Sequence, residues 1–77
     1  MISGKQCRAG RAWCHLGAGK LAKIVDVHID TLRNFEYGRH ELRTATAEQI
    51  RAVLEGRGVT FIFSTDTGEG IGIKGEP

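Results

Sequence analysis

HIDTLRNFEYG, residues 28–38, reads as one short helix closed by a glycine. Leu32 and Phe35 stand three apart on one face, while Ile29, Asp30, Arg33 and Asn34 make a second face rich in groups that can touch a partner. Two turns are too few to stand alone, since an isolated helix needs roughly 12 to 15 residues in water. The apolar stripe must therefore dock on neighbours, and the chain on either side has to supply them.

Residues 19–25 predict the first of these neighbours, a short helix with Leu21, Ala22 and Val25 inward and Lys20 and Lys23 toward solvent. Asp26 is the junction, a residue that tolerates a left-handed or turn conformation better than most, and Val27 follows as a buried plug. Two short helices joined by three or four residues are what a helix-turn-helix requires, because the second helix must project across the first. Upstream, residues 1–4 read as a frayed lead-in, with Ser3 or Gly4 near a helix start. Residues 5–16 predict a helix whose inward stripe is Cys7, Ala9 or Gly10, and Trp13 or Cys14. Gly10 weakens that helix by about 1 kcal/mol relative to alanine, which points to a close helix crossing there. Trp13 is assigned to core packing against a later helix.

Downstream, residues 39–44 form a polar loop anchored by Leu42. A fourth helix is expected over residues 45–55, with Ile50, Val53 and Leu54 inward. Thr46 and Gln49 fit a capping box there, Thr44 is the competing cap, and Gly56 and Gly58 end the helix. The character then changes to a strand at residues 59–64, a turn TDTGEG at 65–70 and a second strand at 71–74. A lone two-stranded hairpin is marginal in water, so this one must lean on the helices or pair with a copy of itself. The expected organisation is a helix-turn-helix domain over residues 1–58 and a C-terminal strand extension over 59–77 that serves dimerisation.

Seventy-seven residues make one small domain, which buries only about 60% of its potential surface on folding, so a homodimer is expected. Eleven Lys plus Arg against nine Asp plus Glu give a net charge of only +2, and partner choice then rests on where the charge lies. Six of the seven arginines fall between Arg8 and Arg51, whereas the tail after Arg57 carries Asp66, Glu69 and Glu76 against Lys74 alone. Cys7 and Cys14, seven residues apart on one helix, would stand about 10 Å apart, too far for a disulfide. No CxxC pair exists, and His15, His28 and His40 make no metal spacing with the cysteines, so neither a metal nor a cofactor is expected. GEGIGIKG lacks the strand-to-helix context of a phosphate cradle. The sequence offers no nucleophile and base at motif spacing, and little volume to enclose a substrate, so no enzyme is expected. The start lacks the hydrophobic core of a signal peptide and no apolar run is long enough for a membrane span, which leads to a cytoplasmic expectation.

RAWCHLGAGKLAKIVDVHIDTLRNFEYG, residues 11–38, resembles the DNA-binding region of the Cro/C1-type (XRE-family) helix-turn-helix regulators. The resemblance spans residues 5–54 and rests on Arg11, the Leu21 and Ala22 pair, Val27, Thr31 with Leu32, and the Phe35-Glu36-x-Gly38 ending. TAEQIRAVLEGRGVTFI looks like the small bacterial members in which a fourth helix leads into a strand. The implied fold is mainly α, a lambda-repressor-like bundle of about four helices with a C-terminal β-hairpin. Leu21, Ala22, Val27, Leu32 and Phe35 would be core, and Arg11 would pair with Glu36 as a strut.

The same resemblance lays the helix from His28 in the major groove of double-stranded DNA, with His28, Ile29, Asp30, Arg33 and Asn34 at base edges. Asn takes adenine, Arg takes guanine, Asp accepts from cytosine and Ile meets a thymine methyl. Lys20, Lys23, Thr31, Arg39, His40 and Arg43 would meet phosphates, which position without reading sequence. The implied function is a transcriptional repressor or autoregulator binding a palindromic operator as a homodimer. Two departures favour an alternative, an adaptor or anti-activator that uses the fold to hold another regulator protein. Gly17 and Ala18 replace the usual polar cap and anchoring glutamine, and Asp26 replaces the turn glycine.

Overall fold

A computed structural model of the chain describes residues 1–64 and 68–73. The chain is mainly helical: α1 (Gly4–Cys14), α2 (Ala18–Ile24), α3 (Ile29–Glu36) and α4 (Thr44–Glu55) precede β1 (Val59–Ser64) and β2 (Gly68–Ile73). Among the described residues no helix is long and apolar enough to cross a membrane.

Three of the four helices end in the same way, and this makes the turns tight. After α1, His15 N–H donates to Ala12 and Leu16 N–H to Arg11; after α2, Asp26 N–H donates to Lys23 and Val27 N–H to Ala22; after α3, Gly38 N–H donates to Phe35 and Arg39 N–H to Asn34. Each is the paired termination that requires one residue in the left-handed region. His15 (φ 56°), Asp26 (φ 57°) and Gly38 (φ 73°) are those residues. Only the last is a glycine. The helix expected over residues 5–16 therefore stops at Cys14, because His15 reverses the backbone and sends Leu16 into the core. The helix expected to start at His28 starts at Ile29, with His28 as its cap.

The lead-in is not frayed as the sequence suggests. Ser3 Oγ accepts from the Gln6 amide, and Gln6 Oε1 accepts from the Ser3 amide, a reciprocal capping box that fixes the start of α1. Ile2 is consequently buried, at 2% exposure. At α4 the opposite correction holds: Ala47 N–H bonds the Arg43 carbonyl, so the helix begins at Thr44 and Thr46 already lies inside it. Neither Thr46 nor Thr44 caps it.

The core joins Cys7, Leu21, Leu32, Ile50, Leu54, Val59 and Phe61 from every helix and from β1, each large apolar side chain contributing about 1.5 to 3 kcal/mol. Trp13, Val27 and Ile29 are half-buried against it. Gly10 marks the expected crossing, since a Cβ there would stand 3.2 Å from Leu54 Cδ1 and 3.5 Å from Val59 Cγ1. Gly4 is tighter still. A Cβ on it would press on the Phe35 carbonyl and lie 2.7 Å from Glu36 Cα, so α1 begins directly against the end of α3.

β1 and β2 pair antiparallel with Val59 opposite Ile73 and Ser64 opposite Gly68. Residues 68–70, expected in the turn, are thus strand; residues 65–67 and Lys74 lie outside the described residues. The glycines that suggest a turn carry no strand signal of their own. Their backbone is held instead by tertiary bonds, with Gln6 Nε2 donating to the Ile62 and Gly70 carbonyls.

Candidate nucleic-acid interface

α3 turns Leu32, Phe35 and Glu36 inward and leaves Asp30, Thr31 and Arg33 exposed, with Ile29 and Asn34 half-buried at the margins. Asp30, Arg33 and Asn34 share one face at helical spacing. Ile29 belongs partly to the packing, because its Cδ1 lies 3.5 Å from where a Gly19 Cβ would stand, which ties α3 to α2. Its availability to a thymine methyl is reduced accordingly.

His28 Nδ1 accepts a 3.1 Å hydrogen bond from the Asp30 amide. An imidazole nitrogen that accepts carries no proton, so the neutral ring must hold its proton on Nε2. The outer end of the ring, exposed at the entry to α3, is then a donor. Asp30 sits in the first turn of α3, where a carboxylate complements the helix dipole.

The strut beneath α3 is a buried three-part contact. Arg11 Nε and Nη2 reach the two Glu36 oxygens at 2.7 Å each, and Arg11 Nη1 also donates to the Leu16 carbonyl at 3.1 Å. The Glu36 side chain is 1% exposed and that of Arg11 16%. Cys7 completes the set, its thiol donating to Glu36 Oε2 at 3.1 Å. Burial first, and then this hydrogen bond to a carboxylate, push the Cys7 thiol far above its ordinary value. The Glu36 hydrogen bond pushes the Arg11 guanidinium up as well. Cys7 therefore stays a neutral donor rather than a nucleophile.

The residues expected at phosphates fall in three places. Lys20 and Lys23 are exposed on α2, Thr31 is exposed on α3, and Arg39, His40 and Arg43 are exposed in the loop before α4. The Asn34 carbonyl accepts from the Arg39 amide at 2.8 Å and the His40 amide at 3.3 Å, so the start of that loop is fixed to α3. Gly17 caps α2 without any side-chain hydrogen bond, leaving its first amides open.

Sequence reading missed two residues here. Tyr37, 58% exposed, continues the Asp30 and Arg33 face one turn further. The Arg8 guanidinium lies 4.8 Å and that of Arg39 5.5 Å from its ring centroid. Arg8 precedes Arg11 by three positions on α1, and that spacing was the available signal.

No protein-family model matches the chain, and no curated protein does.

Proposed function

We propose that the chain is a lambda-repressor-like helix-turn-helix domain with a C-terminal β-hairpin, and that it acts as a sequence-specific transcriptional repressor or autoregulator. The observation that supports this reading best is α3 itself. Its inner face is locked by Leu32, Phe35 and the buried Glu36 pair, while its outer face presents Asp30, Arg33 and Asn34, with exposed basic residues on α2 before it and in the loop after it in the chain. Eight residues span about 12 Å along the axis, comparable with the width of the major groove, roughly 12 Å. Arg33 and Asn34 read bases, the His28 Nε2 proton meets a base acceptor, and Lys20, Lys23, Arg39, His40 and Arg43 meet phosphates.

One such domain reads only a few base pairs, so the active form is a homodimer on an inverted repeat with half-sites about one helical turn apart. Ile62 and Phe63 on β1 are 41% and 48% exposed, and they make β1 the candidate dimer surface. Promoter occlusion is the mode of repression proposed.

Selection of random duplex DNA by the purified protein, read with its mass in solution, tests this. An enriched inverted repeat bound by a dimer is expected. Asn34→Ala should then relax preference at one base position by about 1 to 3 kcal/mol, whereas Arg43→Ala should weaken all sequences alike. No enriched motif refutes DNA reading and turns attention to a protein partner, the reading favoured by the bare cap at Gly17 and by Ile24, 47% exposed on α2.

A further inference from the structure

Arg8, Tyr37 and Arg39 form a second cationic feature that the base-reading face does not use. Two guanidiniums share one exposed phenol ring, at 4.8 and 5.5 Å from its centroid. Neither has an ion-pair partner among the described residues, where the arginine ion pairs are Arg11 with Glu36 and Arg51 with Glu55. The Glu36 carboxylate nearby is already taken by Arg11 and Cys7. Like charges gathered without a counter-ion cost free energy in the isolated protein, and the cost is recovered when an anion arrives. Cation–π contact holds both guanidiniums at the ring and limits the rotamer freedom they would otherwise lose on binding.

The position of the cluster identifies the anion. Tyr37 lies seven residues beyond Asp30 on the same face of α3, hence about 10 Å further along the axis. With the first turn of α3 at base edges, a point that far along stands near the rim of the groove, where the phosphates run. Beside the ring is an open depression of about 430 Å³ lined by Ser3, Gly4, Lys5, Arg8, Tyr37, Gly38 and Glu36, the last with its carboxylate held by Arg11 and Cys7. Lys5, exposed, stands with the half-buried Arg8 as the second cation of its lining.

We propose that Arg8 and Arg39, both held at the Tyr37 ring, grip a backbone phosphate of duplex DNA at the C-terminal end of α3. This rests on the DNA-binding reading above and adds α1 to the footprint. Arg8 and Arg39 are the contacting residues, and Tyr37 is a positioning residue that acts through them.

The test is the salt dependence of affinity for the selected inverted repeat, measured on the full chain for wild type, Arg8→Ala, Arg8→Lys and Tyr37→Leu, with urea midpoints to establish folding. Arg8→Ala should flatten the slope of log K against log salt by about 0.9 for each half-site phosphate lost. Between 50 and 200 mM salt the gap to wild type then closes about threefold per contact. Sequence preference should not change. Arg8→Lys should restore the slope, and Tyr37→Leu should flatten it without touching charge, which a purely structural ring would not do. A single methylphosphonate linkage should weaken wild type more than Arg8→Ala, and should leave the double variant Arg8→Ala with Arg39→Ala unaffected at that linkage. If wild type binds the repeat and Arg8→Ala keeps the full slope, the grip is wrong while DNA reading stands. If wild type binds no DNA, both fall.

Discussion

Replacing Arg11 by methionine keeps the stem that packs along α1 but removes the fork that holds Glu36. The Glu36 side chain is 1% exposed, so its carboxylate would be left in the interior with only the Cys7 thiol as donor. Breaking a buried pair on one side costs about 3 to 5 kcal/mol. The lower half of that range applies, because Arg11 is itself 16% exposed and water can enter where it left. The Leu16 carbonyl also loses its 3.1 Å donor, about 1 kcal/mol more. Against a total of about 4 to 12 kcal/mol for a chain of this length, Arg11→Met alone should bring the domain close to unfolding at 37 °C. Arg11→Met with Glu36→Leu removes both charges, and it should recover to within about 2 kcal/mol of wild type. Urea denaturation followed by circular dichroism reads wild type, Arg11→Met, Glu36→Leu and the double variant, with an unchanged slope required for the comparison. A loss below about 1 kcal/mol in Arg11→Met, or a double variant as weak as the sum of its singles, would refute the view of this pair as a strut.

Asp26→Gly should stabilise by about 1 kcal/mol, because φ 57° strains any residue with a Cβ; a lower urea midpoint would contradict this. Gly4→Ala should cost more than about 2 kcal/mol, since the new Cβ meets the backbone of Phe35 and Glu36, which cannot step aside. Gly10→Ala should be nearly neutral, the 3.2 Å approach to Leu54 Cδ1 offset by helix propensity of about 1 kcal/mol. Cys7 should resist iodoacetamide in the native state at pH 8 and react only on unfolding. Its raised thiol remains protonated in the fold while the unfolded thiol ionises above about pH 8.5. The unfolded state then binds fewer protons, so stability should fall with further rise in pH by up to about 1.4 kcal/mol per unit. Cys7→Ala should flatten that alkaline limb.

Where local chemistry and tertiary packing agree, the structure follows what the residues suggest. Leu32 and Phe35 at helical spacing go inward with α3, and Gly10 lies at a crossing because only hydrogen fits beneath Leu54 and Val59. The Arg11 and Glu36 partnership came from resemblance, since a separation of 25 positions hides it from any periodicity. Misreadings cluster where a long-range contact decides a local state. Ile2 is buried because the Ser3 and Gln6 box fixes α1 against the rest, and residues 68–70 extend because Gln6, more than 60 residues earlier, holds the Gly70 carbonyl. His15 in the left-handed region ends α1 two residues early, without the glycine that would advertise it.

The charge along α3 gives the proposed interface a direction. Asp26 and Asp30 stand at its entry, while Arg33, Arg39, His40 and the Arg8 guanidinium stand at or beyond its middle. Phosphates are therefore disfavoured at the N-terminal end and attracted at the C-terminal end, even though open amides at a helix start ordinarily attract anions. Gly17 fits the same pattern, because α2 begins without a side chain to anchor the backbone there. In the proposed reading phosphate affinity is supplied away from the start of α2, and the only unneutralised pair of guanidiniums at one ring, among the described residues, is Arg8 and Arg39 at Tyr37. In the proposed reading, the bare start of α2 and the cluster at Tyr37 thus belong together. Ala18→Gln should raise affinity for the selected repeat and make it less sensitive to Arg8→Ala, and independent, additive effects of the two substitutions would separate them.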